Sequence, residues 1–152
     1  MEDRKLAVKK YNEYRKKYNL PPLEELEDEF GFELDDDAGI AKTIINQIWE
    51  RISALRSYIE GILNPQRYCC LIETKFFNPK EKEKIFKFYQ KIMIAYWKTI
   101  QVSFKGKEER FKHINFCYDF YKKVRAYSLK YTQRMIDGWS EEDKEEKESY
   151  ID

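Results

Sequence analysis

Residues 114–138 read INFCYDFYKKVRAYSLKYTQRMIDG, and Ile114, Cys117, Tyr121, Val124, Ser128, Tyr131 and Met135 recur in it at steps of three and four. That spacing places all seven on one stripe of an α-helix, because side chains three and four positions apart stand over one another on a 3.6-residue turn. Gly138 follows the last of them, where a helix stop is expected. Upstream, the Lys105-Gly106 pair is read as a turn, so the helix before it ends near residue 104.

The preceding helix opens at Asn78-Pro79 with Glu81, a sequence that reads as cap, first helical residue and third-position acid. It carries two stripes. Ile85, Tyr89, Ile92 and Tyr96 form one, while Phe86, Met93, Trp97, Ile100 and Phe104 form its neighbour, so two packing partners are expected. Further upstream, Ile48, Ile52, Leu55, Ile59 and Ile62 mark a long helix over about residues 38–63. Asp35, Asp36 and Asp37 cap its start, and Asn64-Pro65 ends it. PQRYCCLIETKFF, residues 65–77, is read as a shorter helix. In the first 37 residues, Ala7, Tyr11, Tyr14 and Tyr18 share a face suited to the edge of a core. Leu20-Pro21-Pro22 breaks that helix, and Leu23, Leu26 and Phe30 mark a second that Gly31 ends.

The expected fold is therefore all-α: an antiparallel bundle of three long helices, a short fourth helix, and an N-terminal helical pair packed across them. One domain is expected over residues 1–138, with 1–37 as a helical arm and 38–138 as the bundle. Residues 139–152, SEEDKEEKESYID after Trp139, are expected to be an acidic, disordered tail. The run YNLPPLEELEDEFGFEL, the Ile-rich helix closing at LNPQ and the run LIETKFFNPKEKEKIFKFYQKIM together resemble a set of small uncharacterised archaeal proteins from organisms with reduced genomes. The resemblance covers about residues 11–100. It implies an archaeal, cytosolic, all-helical protein, and carries no activity, cofactor or catalytic residue.

Charge is unevenly distributed along a chain whose formal net charge is only +1. Residues 75–136 hold sixteen basic and five acidic residues, against seven and twelve in 1–37 and two and eight in 137–152. A concentrated basic segment attracts phosphate or an acidic protein surface even when the whole chain is near neutral. On the last helix Phe116, Phe120, Lys123, Tyr127, Lys130 and Arg134 lie about 100° from the core stripe, flanked by Lys122 and Arg125. Such a face is the candidate binding surface, with Lys and Arg meeting a phosphate backbone and aromatic rings stacking on bases. The competing readings are a solvated helix surface whose aromatics are core, and a basic face covered by the acidic residues 24–29 or by the tail. Aromatic residues make up 16% of the chain, which leans towards an interface.

Residues able to do chemistry are few. His113, the single histidine, precedes Cys117 by four positions, and Cys69 and Cys70 complete the possible metal ligands. Adjacent cysteines on a helix point about 100° apart, and Cys117 sits on the core stripe, so no metal or other cofactor is expected. A di-iron bundle needs two histidines, and neither GxGxxG nor a P-loop is present. No Gly-rich elbow presents a nucleophile, so no catalytic residue and no enzyme activity are expected. Three cysteines fit reduced thiols, the charged N-terminus has no apolar signal core, and the longest apolar run, residues 92–97, is far short of the roughly 20 residues of a membrane span. A soluble cytoplasmic protein that binds a protein partner or itself is expected, and an RNA-binding or ribosome-associated protein is the alternative.

Overall fold

The computed structural model describes residues 2–151, and the side chains of 2–145. Among them the chain is all-helical: α1 (Glu2–Tyr18), α2 (Leu23–Phe30), α3 (Ile40–Leu63), α4 (Tyr68–Glu73), a one-turn 3₁₀ segment (Thr74–Phe76), α5 (Pro79–Ser103) and α6 (Lys107–Ile151). Local chemistry explains most of the boundaries. Asn19 takes up a left-handed conformation (φ 54°) after α1, and the Leu20 N–H then closes back on the Arg15 carbonyl. Gly31 does the same for α2 at φ 65°, where a side chain would be strained. At the start of α5, the Glu81 N–H donates to Asn78 Oδ1 (2.8 Å) and the Asn78 N–H donates to Glu81 Oε1 (3.1 Å), the reciprocal pair expected of a capping box.

The chain forms two compact units, one of residues 1–53 and 93–122, the other of 54–92 and 123–152. α3, α5 and α6, at 24, 25 and 45 residues, each contribute to both units.

In the first unit α2 and α6 meet through aromatic rings. Phe30 packs edge-on against Tyr121 (4.6 Å between centroids), and the Tyr118 and Tyr121 hydroxyls donate to Glu25 (2.6 Å) and Glu29 (2.7 Å). The acidic residues of α2 therefore engage tyrosines of α6. α1 joins through Tyr14 stacked on Phe111 at 3.8 Å and Asn115 donating to the Tyr18 carbonyl. Tyr11 is fully buried rather than at a core edge, because its hydroxyl finds the Pro21 carbonyl. The 32–37 segment is pinned. Arg4 forks onto both Glu27 oxygens (3.0 and 3.1 Å) and onto the Leu34 carbonyl, while the Leu34 N–H returns to Glu27. Burial pushes the Glu27 carboxyl up, and the Arg4 and Leu34 hydrogen bonds outweigh it, leaving the group below its ordinary value. Asp36 accepts the Ala38 N–H and Asp37 pairs with Lys10, so α3 begins at Ile40, two residues later than expected.

In the second unit Leu55, Ile59 and Ile62 of α3, Ile85 and Ile92 of α5, and Val124 and Tyr131 of α6 are buried, as their stripes predict. The Tyr131 hydroxyl donates to the Tyr58 carbonyl, and Phe77 stacks on Tyr131 at 5.7 Å. Two readings need correcting. First, the second stripe of α5 is buried only in part: Phe86, Trp97 and Phe104 are exposed while Met93 and Ile100 are half-buried, and the two expected partners are α3, met through Tyr96 on Trp49 and Tyr89 on Glu60, and α6, met through Phe88 on Tyr127 and Thr99 on His113. Second, α6 does not stop at Gly138 but continues to Ile151, so the backbone of the expected tail is helical up to that residue. Asp152, and the side chains beyond residue 145, lie outside the described residues. Gly138 is glycine for a packing reason, since a Cβ there would stand 2.3 Å from Phe76 Cδ2 and 2.5 Å from its Cγ. Gly138→Ala should therefore lower the thermal midpoint. Overpacking costs about 1–3 kcal/mol and exceeds the helix-propensity gain of about 1 kcal/mol, because a clash at Cγ cannot be relieved by swinging the ring tip alone. A melt at or above the wild-type midpoint would contradict this account.

Candidate functional site

The basic-aromatic face of α6 is built differently in each unit. In the first, Phe116 is half-buried with its ring against His113 (4.8 Å) and Lys98 Nζ over it at 5.6 Å. Phe120, also half-buried, lies along Trp49 at 6.4 Å, and Lys122 stands 4.6 Å over the Tyr118 ring while reaching Asp119. In the second, Tyr127 stacks on Phe88 at 4.0 Å and 7°, and burial pushes its hydroxyl up to about 12. Arg134 donates through Nε (3.2 Å) and Nη2 (2.8 Å) to the Phe76 carbonyl, and through Nη2 to Glu81. It acts as a clamp that holds the 3₁₀ turn and the α5 cap. Lys123, Arg125 and Lys130 are exposed. The aromatic members of the face are thus already stacked within the chain, while the lysines remain at the surface.

His113 and Cys117 lie in the first unit around Thr99. The Thr99 hydroxyl donates to the Ala95 carbonyl (2.9 Å), so its oxygen accepts from His113 Nε2 (2.8 Å), which assigns the imidazole proton to Nε2. Burial, aided by Lys105 and Lys98, pushes His113 down to about 4, and burial pushes the Cys117 thiol up to about 11 against the Trp49 and Thr99 side chains. At neutral pH the pair is an uncharged imidazole and an uncharged thiol. Both side chains lie in the core, at 9% and 0% exposure.

Cys69 and Cys70 belong elsewhere. In the second unit they line an open cleft of about 1240 Å³, walled by Tyr58, Glu60 and Gly61 of α3, Cys69, Cys70 and Glu73 of α4, Phe86 and Tyr89 of α5, and Tyr131, Thr132 and Met135 of α6. Tyr58 is 62% exposed and Phe86 47% exposed. On α6, exposed Leu129 and Ile136 share the face of the cleft residue Thr132, three positions before it and four after, and exposed Tyr68 and Leu71 flank the α4 cysteines in sequence. Polar groups anchor the walls. The Tyr89 hydroxyl donates to Glu60 (2.9 Å), and partial burial together with this carboxylate raises its pKa. Trp139 Nε1 donates to Glu73 Oε2 (2.8 Å). The two cysteine sulfurs are 4.0 Å apart, and with a Glu73 oxygen they form a cluster whose ligand atoms all lie within 4.8 Å of one another.

The sequence reading named the cysteines but missed both Glu73 and the cleft. The CCLIE run does place an acid three residues after Cys70, one helical turn on, and that spacing was the available signal. A smaller cavity of about 380 Å³ in the first unit is lined by Lys42, Asn46, Thr99 and Arg110 among others. Among the described residues, no helix is long and apolar enough to cross a membrane. No family model, no curated protein and no solved structure matches this chain.

Proposed function

We propose that this chain is a non-catalytic helical interaction protein that docks a protein partner, or a second copy of itself, at the aromatic cleft of its second unit. The observation that carries the reading is the pair of large apolar side chains left in solvent on the walls of that cleft, Tyr58 and Phe86. Leaving such groups exposed forgoes about 1.5–3 kcal/mol each, and contiguous exposed patches with aromatic content mark interaction surfaces. The proposal includes a cytosolic setting, with which three free cysteines agree, and the antiparallel arrangement of α3, α5 and α6 with α1 and α2 packed across them.

The alternative, binding to RNA or to a ribosome, rests on the excess of basic residues over 75–136 and on the exposed Lys123 and Lys130. It is weakened by the internal stacking of Phe116, Phe120 and Tyr127, since a base-stacking platform needs open ring faces. Pull-down from native lysate distinguishes the two, with sedimentation of the purified chain reporting self-association. A partner held by the cleft should survive nuclease and moderate salt, and be lost with Tyr58→Asp combined with Phe86→Asp. Loss on nuclease treatment, or with Lys123→Glu combined with Lys130→Glu, would instead select RNA, whose binding falls steeply with salt.

A further inference from the structure

The α4 thiols carry an inference that is independent of any docked partner. Cys69 and Cys70 are free, and their sulfurs are 4.0 Å apart despite being neighbours on a helix. Two thiolates held at about 2.3 Å from one metal lie about 3.8 Å apart at the tetrahedral angle and about 4.0 Å apart at 120°, against about 4.6 Å in a linear complex. The observed separation therefore suits three- or four-coordinate binding and not a linear one. Glu73 supplies a third donor within 4.8 Å of both sulfurs, and the Trp139 indole N–H on Oε2 orients that carboxylate, as partners of metal ligands do.

Space for the sulfur is provided by a glycine. A Cβ at position 61 would stand 2.9 Å from Cys70 Sγ, so any other residue there would displace the thiol. The cluster faces a cleft open enough to admit an ion and leave a coordination position for water, with Arg67 on the same wall to offset the negative charge of three anionic ligands.

We propose that Cys69, Cys70 and Glu73 form a site for one thiophilic divalent cation of the zinc and cadmium class, held by two thiolates and one carboxylate with a further position open. Binding releases the two thiol protons to solvent, so affinity rises with pH.

The test uses the full chain, reduced with a non-thiol reductant, freed of metal by chelation and titrated with Cd²⁺ while the ultraviolet thiolate-to-metal charge-transfer band is followed. One equivalent per chain is expected. The band should be lost in Cys69→Ser and in Cys70→Ser, and Cys117→Ala should leave it unchanged. Glu73→Gln should weaken binding about tenfold or more, the scale on which supporting ligand-shell groups act. Gly61→Ala, which removes no ligand, should also weaken it by displacing Cys70 Sγ. Circular dichroism establishes that each variant is folded before it is scored. The proposal is overturned by absence of saturable binding, by a band that survives both serine variants, by half an equivalent per chain, or by wild-type affinity in Glu73→Gln or Gly61→Ala.

Discussion

Val124→Asp should lower the unfolding free energy by about 3–5 kcal/mol, a large part of the 5–15 kcal/mol that holds a typical domain together. Val124 is 2% exposed on the inner stripe of α6, so the substitution removes a buried branched side chain and puts a carboxyl group in its place. Loss of the apolar burial accounts for about 1.5–3 kcal/mol, and desolvating the carboxyl without a partner supplies the rest. The buried carboxyl escapes part of that penalty by taking up a proton, so the defect should shrink as pH falls through the range of a raised aspartate. The neighbouring exposed position provides the control. Lys123→Asp turns the same chemistry out to solvent and should change stability by less than about 1 kcal/mol. Urea unfolding followed by circular dichroism reads both. Equal effects at 123 and 124 would mean that the register of α6 is wrong, since only the 100° step between adjacent helical positions separates the two predictions.

That register was legible in the sequence because burial follows a 3.6-residue period wherever one face of a helix packs. Ile48, Ile52, Leu55, Ile59 and Ile62 on α3, and Ile114, Cys117, Tyr121, Val124 and Tyr131 on α6, are all buried. The Asn78–Glu81 capping box was legible for a similar reason, as its partners are three residues apart. Signals that depend on residues distant in sequence were misread. Gly138 has the form of a helix stop, and what it does is make room for Phe76, sixty-two positions away, which no local pattern encodes. The second apolar stripe of α5 has the form of a second packing face, yet periodicity cannot say how much of that face finds a partner within the chain. Phe86, Trp97 and Phe104 remain exposed. Aromatics expected to present free faces are stacked on Trp49, Phe88 and His113, whereas the cleft assembles from four segments whose shared location only the fold reveals.

The stability of the chain should fall as pH drops from about 6.5 to about 4, and His113 should be the cause. The imidazole is 9% exposed, and burial, with Lys105 and Lys98 adding repulsion, holds its folded-state value at about 4 against an ordinary 6.5. A base whose affinity for protons is lowered by folding favours the unfolded chain once protons become available. Above pH 6.5 both states are neutral at this residue and its contribution is complete. Between 6.5 and 4 the unfolded chain binds a proton that the folded chain refuses, and stability declines by up to 1.36 kcal/mol per pH unit. Below about 4 both states are protonated and the loss levels off, at about 3 kcal/mol in all. Glu27 and Asp37, whose folded values lie below their ordinary 4.5 and 3.8, also withdraw stability on acidification, but only as pH falls through and below those ordinary values. The interval from about 6.5 to 5 therefore belongs to the single histidine of the chain. His113→Phe keeps a ring to stack on Phe116 and leaves the Thr99 hydroxyl bonded to the Ala95 carbonyl, so it removes the titration without stranding a polar partner. Urea midpoints measured at intervals across this range should slope in the wild type and stay flat in the variant, and the imidazole proton resonance of the folded chain should titrate near pH 4. A wild-type profile that is flat from 6.5 to 5 would place the imidazole in water and dissolve the Thr99–His113 contact from which the tautomer was assigned, and a slope that persists in His113→Phe would assign the loss to other groups.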